Sequence, residues 1–175
     1  FSILTGSTRR AQIGGTKTQI GVTKVPDPRL DSLAKIFKPD KITHAVIEYA
    51  DMPPTSRESL ADPNYVGSLR AVDAFVHVLR VFESDIVMHA EGSINPERDE
   101  KNLDLELIIN DLNVIEKRLE RIEKDMGRIK NSQLPLERDI LLKAKGFLES
   151  ERPLREMELD MEEKRQLRGF QFLSE

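Results

Sequence analysis

Leu105, Ile108, Leu112, Ile115, Leu119, Ile122 and Met126 step along the chain by 3, 4, 3, 4, 3 and 4 residues. That is an uninterrupted a/d seam, and it commits the segment to a long helix with a partner along one stripe. Glu120 and Lys124 add a helix-supporting pair at i, i+4. About 25 residues of such helix span about 37 Å at a rise of about 1.5 Å each. Residues 131–135 (NSQLP) interrupt the pattern, and Leu134, Leu141 and Leu148 then repeat at seven, with Ile140 and Ala144 beside them. The spacing predicts an antiparallel helical hairpin with its bend near residues 127–135. A second arm within the same chain satisfies the seam, so a monomer is expected rather than a coiled-coil dimer.

Composition agrees with a modest core plus a solvated helical part. Of 175 residues, 38% are hydrophobic and 33% charged. Tryptophan is absent and aromatics are 5%, so packing rests on Leu, Ile and Val. The lack of cysteine excludes disulfides, thiolate catalysis and zinc–thiolate sites. No apolar run approaches a bilayer span, so a soluble, cytoplasmic chain with no membrane partner is expected. The net charge of −4 argues against a general polyanion binder. Charge is nevertheless segregated. Residues 117–145 hold nine Lys/Arg against five Asp/Glu, a net of +4, whereas residues 149–163 hold seven acids against Arg152 and Arg155, a net of −5. The basic stretch falls on the far end of the expected hairpin. There Arg128, Lys130, Lys143 and Lys145 are candidates to touch RNA or an acidic protein surface; otherwise they form a solvated face.

Residues 1–101 read as α/β. Residues 1–6 resemble a helix end stopped by Gly6, and residues 7–18 a loop. Residues 19–25 alternate apolar and polar as a strand does; Pro26 and Pro28 end it. Leu30, Leu33, Ile36 and Phe37 give a short helix. Residues 45–50 are a second strand running into Asp51, and residues 65–71 a helix end. Residues 74–82 (AFVHVLRVF) form a near-continuous apolar run, the mark of a strand buried on both faces. Strands separated by helices imply parallel connections. The expected class is therefore α/β, a mostly parallel sheet with an inserted helical hairpin.

Conventional catalytic constellations are absent. His44, His77 and His89 lack metal-ligand spacing, and His77 reads as a core histidine. Gly14-Gly15-Thr16-Lys17-Thr18 is not a phosphate loop, which needs lysine directly after glycine and a hydroxyl directly after lysine. The stronger signal is Asp51 at a strand's carboxyl end, where open α/β sheets bind ligands and where phosphate-loop NTPases hold Mg²⁺.

Several strings carry a resemblance. Residues 25–31 (VPDPRLD), 72–83 (VDAFVHVLRVFE), 92–99 (GSINPERD) and 106–119 (ELIINDLNVIEKRL) occur in this order. They resemble the signatures of the Obg-like YchF family of translation-factor-related GTPases and ATPases, over nearly the whole chain. The resemblance implies a partial P-loop NTPase domain over residues 1–101, a coiled-coil insertion over 102–165 and a return to the NTPase domain over 166–175. It places the phosphate loop before Phe1 and the base-reading strand and a TGS domain after Glu175. It implies GTP or ATP as substrate, Mg²⁺ as cofactor, and the ribosome or its RNA as partner. Thr16 or Thr18 takes the place of the switch I threonine, and Asp51 that of the switch II aspartate. One departure bears on hydrolysis. The family has Asp-x-Ala-Gly at switch II, whereas this chain has Asp51-Met52-Pro53-Pro54, and Pro54 has no N–H to offer a γ-phosphate. An alternative reading follows from it, a pseudo-NTPase module whose hairpin is an adaptor without turnover.

Overall fold

The computed structural model describes residues 1–6, 18–53, 55–89, 91–126 and 133–175. Thr16, Pro54, Arg128, Lys130 and most of the expected bend lie outside them. The chain forms two compact units, Phe1–Thr55 and Ser56–Glu175.

In the first unit, helix α1 (Ser2–Thr5) ends at Gly6, whose φ of 65° is the left-handed cap that glycine adopts without strain. Strands β1 (Gln19–Lys24) and β2 (Val46–Asp51) pair in register from Gln19↔Asp51 to Lys24↔Val46. Thr23 Oγ1 donates to Leu4 O at 2.6 Å and draws α1 onto β1. Gly21 permits that approach, because a Cβ there would sit 2.6 Å from Thr5 Cγ2. Helix α2 (Pro28–Phe37) explains the VPDPRLD string. Asp27 caps it by accepting from the Arg29 N–H, Pro28 occupies the first turn, and the Arg29 guanidinium grips both Asp27 oxygens at 3.0 Å. Arg29 beside it holds the Asp27 carboxyl below its ordinary value.

The sheet corrects the expected topology. β1 and β2 are antiparallel, and among the described residues they make a two-stranded sheet. α2 buries no residue, so it does not cover a sheet face as a crossover helix does. The link instead returns the chain alongside β1 in the opposite direction. Residues 74–82 form no strand. Val76 is 73% exposed, Val78 85%, and His77 is exposed rather than a core histidine. An apolar run becomes a buried strand only where a neighbour takes its backbone hydrogen bonds and a layer covers it. The described residues supply neither.

The second unit holds the core. Ser56 caps α3 (Arg57–Ala61) in a capping box with Ser59, and Asp62 caps α4 (Pro63–Arg70). Helix α5 (Pro96–Met126) packs along α6 (Gln133–Glu149). Bridges Arg118–Glu137, Lys145–Glu116 and Arg155–Asp104 pair descending positions of α5 with ascending ones of the later chain, so the two helices run antiparallel. Ile108, Ile115, Leu119 and Ile122 interlock with Leu134, Ile140, Leu141, Ala144 and Leu148. Leu112 is half-buried against this cluster and Met126 is exposed. Residues 150–175 turn back over the base. They contribute Leu154, Met157, Leu167 and Phe172 to the same core, with α7 (Met161–Leu167) against α6.

Candidate functional site

The β1–β2 register brings two of the sequence candidates together. Gln19 faces Asp51 across the ladder. Thr18 immediately precedes Gln19, and its hydroxyl donates to Met52 Sδ at 3.5 Å. A threonine hydroxyl and a carboxylate therefore share one end of the hairpin, Thr18 exposed and Asp51 half-buried. Both are hard oxygen ligands of the kind Mg²⁺ takes. Mg²⁺ usually accepts only one or two protein oxygens and fills its octahedron with phosphate and water. The two groups are of the oxygen type the ion takes, and the ladder alternates their side chains, Thr18 sharing a face with Met52 and Asp51 with Gln19. Thr18 Oγ1 spends its proton on a weak sulfur acceptor, which leaves its lone pairs for a cation.

The four basic candidates fare differently. Lys143 lies in α6 with its ammonium 2.6 Å from Glu163, and Lys145 sits 2.9 Å from Glu116 and 3.7 Å from Glu149. The Glu116 carboxylate is the main cause that raises the Lys145 ammonium above its ordinary value. Charge counting along the sequence sets the acids of residues 149–163 far from the basic stretch. Folding does the reverse, because α7 brings Glu163 back onto α6. His89 is also engaged. Its Nε2 lies 3.2 Å from Asp99 Oδ2, and its Nδ1 accepts from the Glu91 N–H.

A fully buried carboxylate escaped sequence reasoning. Asp111, fully buried on α5, accepts from the Leu173 N–H at 2.9 Å and from the Ser174 N–H and hydroxyl at 2.8 Å each. Burial pushes its carboxyl above the ordinary value, against the pull of those three donors. A polar residue amid the apolar positions of a helical pattern was the available signal.

No family model matches the chain. Individual proteins do. It is 33% identical over 160 residues to the ribosome-binding ATPase YchF of Pasteurella multocida, covering 88% of this chain and 43% of the relative. The YchF of Bacillus subtilis is 31% identical over 160 residues, 89% of this chain and 43% of the relative. An Obg-like ATPase 1 from Oryza sativa subsp. indica is 33% identical over 75% of this chain and 34% of its own length. Among solved structures, the YchF GTPase of Schizosaccharomyces pombe superposes with a TM-score of 0.70 at 26% identity, over 89% of this chain and 43% of that one. The chain thus shares the α/β fold of that solved YchF GTPase. Within this fold, the chain belongs to the Obg-like YchF family. It spans less than half the length of the curated relatives it matches.

Proposed function

We propose that the chain is the middle of a P-loop NTPase of the YchF type, which binds and hydrolyses GTP or ATP as a ribosome-associated switch in the cytoplasm. In this reading residues 1–101 belong to the nucleotide-binding domain, residues 102–165 are its coiled-coil insertion, and residues 166–175 return to the domain. Thr18, with Thr16 as the competing assignment, and Asp51 hold Mg²⁺. When bound, that ion neutralises charge on the phosphates. The chain's own part is to present a carboxylate at the end of β2 and a hydroxyl from the residue just before β1. The observation that carries the reading is the register that sets Thr18 and Asp51 at one end of the β1–β2 hairpin, in a chain 33% identical to a ribosome-binding ATPase.

The test is calorimetry with ATP and GTP, each with Mg²⁺ and with EDTA. It uses the 175-residue chain and a longer form that includes a phosphate loop. Tight binding is expected only in the longer form, with Asp51→Ala weakening the Mg²⁺-dependent part. Micromolar binding by the 175 residues alone would refute this placement of the site. Binding without turnover in the longer form would favour the adaptor reading, and Pro54 is the first residue to revert to glycine.

A further inference from the structure

Asn110 and Asp111 are consecutive residues of α5, and each reaches a different part of the chain. Asn110 Oδ1 accepts from Arg70 Nη2 at 2.9 Å, at the last residue of α4, and Asn110 Nδ2 donates to Leu60 O of α3 at 3.4 Å. Asp111 holds residues 173 and 174 by three hydrogen bonds. Ser174 is gripped from the other side as well. Its hydroxyl oxygen accepts from the Leu154 N–H at 3.3 Å, and its carbonyl accepts from the Arg155 N–H at 2.9 Å. One turn of α5 thus anchors both the α3–α4 segment and the chain end at 173–174.

Burial alone does not call for these polar side chains. Ile108 and Ile115 fill the neighbouring turns of the same helix with aliphatic groups. Arg70 adds a second irregularity, because its Nε is buried with no hydrogen-bond partner. A native protein seldom leaves such a donor unmet, and the exceptions need a reason. Arg70 is also the cation whose field reaches Asp111. Its side chain is therefore anchored to Asn110 at one nitrogen, with its buried Nε uncommitted.

We propose that Asn110–Asp111 is a coupling element that ties the seating of α3–α4 to the docking of residues 173–174 on α5, with Arg70 as the positioning residue between them. α3 starts a few residues beyond Asp51. If residues 51–66 respond to nucleotide, the coupling carries that response to the base of the long helix. This consequence rests on the reading above, whereas the coupling itself does not.

Amide hydrogen exchange on the 175-residue chain without nucleotide tests it apart from any nucleotide binding. Arg70→Met keeps the stem and removes every donor. It should raise exchange at the Leu173 and Ser174 amides about tenfold, while the Leu119 and Leu141 amides in the core stay near wild type. Coupling is reciprocal, so Ser174→Ala should in turn raise exchange at the Leu69 and Arg70 amides. It keeps the proposal testable should Arg70→Met fail to fold. Unchanged exchange at 173 and 174 in Arg70→Met overturns the coupling. So does a rise of equal size at Leu119 and Leu141, which would mean general destabilisation.

Discussion

Asp111→Ala removes the acceptor of three hydrogen bonds in a place closed to water. The Ser174 hydroxyl can rotate, but the Leu173 and Ser174 amides cannot. A buried donor left without a partner costs about 1–3 kcal/mol, so two cost about 2–6 kcal/mol. Relief of the carboxylate's desolvation offsets part of this. The net loss expected at pH 7 is about 2–4 kcal/mol, large against a whole-domain stability of about 5–15 kcal/mol. Urea unfolding followed by circular dichroism at 222 nm measures it. A loss under about 0.5 kcal/mol would refute the reasoning, since surface substitutions reach that much. Asp111→Asn adds a pH signature. Burial, the largest influence on Asp111, raises its folded value above the unfolded one near 3.9. The folded chain therefore binds that proton more tightly than the unfolded chain. The group's contribution to stability is fully present below the unfolded value and is lost as pH rises through the folded value. Wild-type stability relative to Asp111→Asn should fall as pH rises from about 4 through the folded value; a relative rise would contradict the assigned sign.

Other perturbations probe the rest of the molecule. Ile115→Ala and Ile122→Ala, at two fully buried positions, should each lower stability by about 2–5 kcal/mol. Ile109→Ala, at a position 46% exposed on the same helix, should cost less than about 1 kcal/mol by the same urea titration. Gly21→Ala drives a Cβ against Thr5, so exchange at the Leu4 and Thr5 amides should rise as α1 leaves β1. Reversal of Arg128, Lys130, Lys143 and Lys145 to glutamate should weaken salt-sensitive co-sedimentation with ribosomes. Because Lys143 and Lys145 are already neutralised by Glu163 and Glu116, reversing Arg128 and Lys130 alone should produce most of that effect. Unaltered co-sedimentation of the fourfold variant would show that these charges are a solvated face.

The helical seam was legible because its cause is local. Apolar residues at 3.5-residue spacing interlock with whatever antiparallel arm the same chain supplies, and Leu134, Leu141 and Leu148 supply it. The helix stop at Gly6 was legible for the same reason, because it acts through its own backbone neighbours. The Asp27 cap of α2 was not read from the sequence, although it too is local. Thr18 and Asp51 were each nameable as oxygen ligands of the right type, but nothing in the sequence set their segments against each other. The antiparallel pairing of Gln19 with Asp51 did that.

What the sequence by itself determined is a set of elements that depend on near neighbours: the strands at Gln19–Lys24 and Val46–Asp51, the helix Pro28–Phe37 and the two long helices of the hairpin. Tertiary structure alone decided which distant groups meet. Residues 74–82 have the pattern of a buried strand, yet a strand is a property of two chains' hydrogen bonds, and no partner stands beside them among the described residues. Asp111 reads as one polar letter in an apolar helix until residues 173–174 arrive to donate to it. Lys143 and Glu163 belong to segments of opposite net charge, and the turn after α6 makes them an ion pair. In each case the deciding contact joins residues far apart in the chain. Its energy depends on distance and burial, which no local pattern encodes.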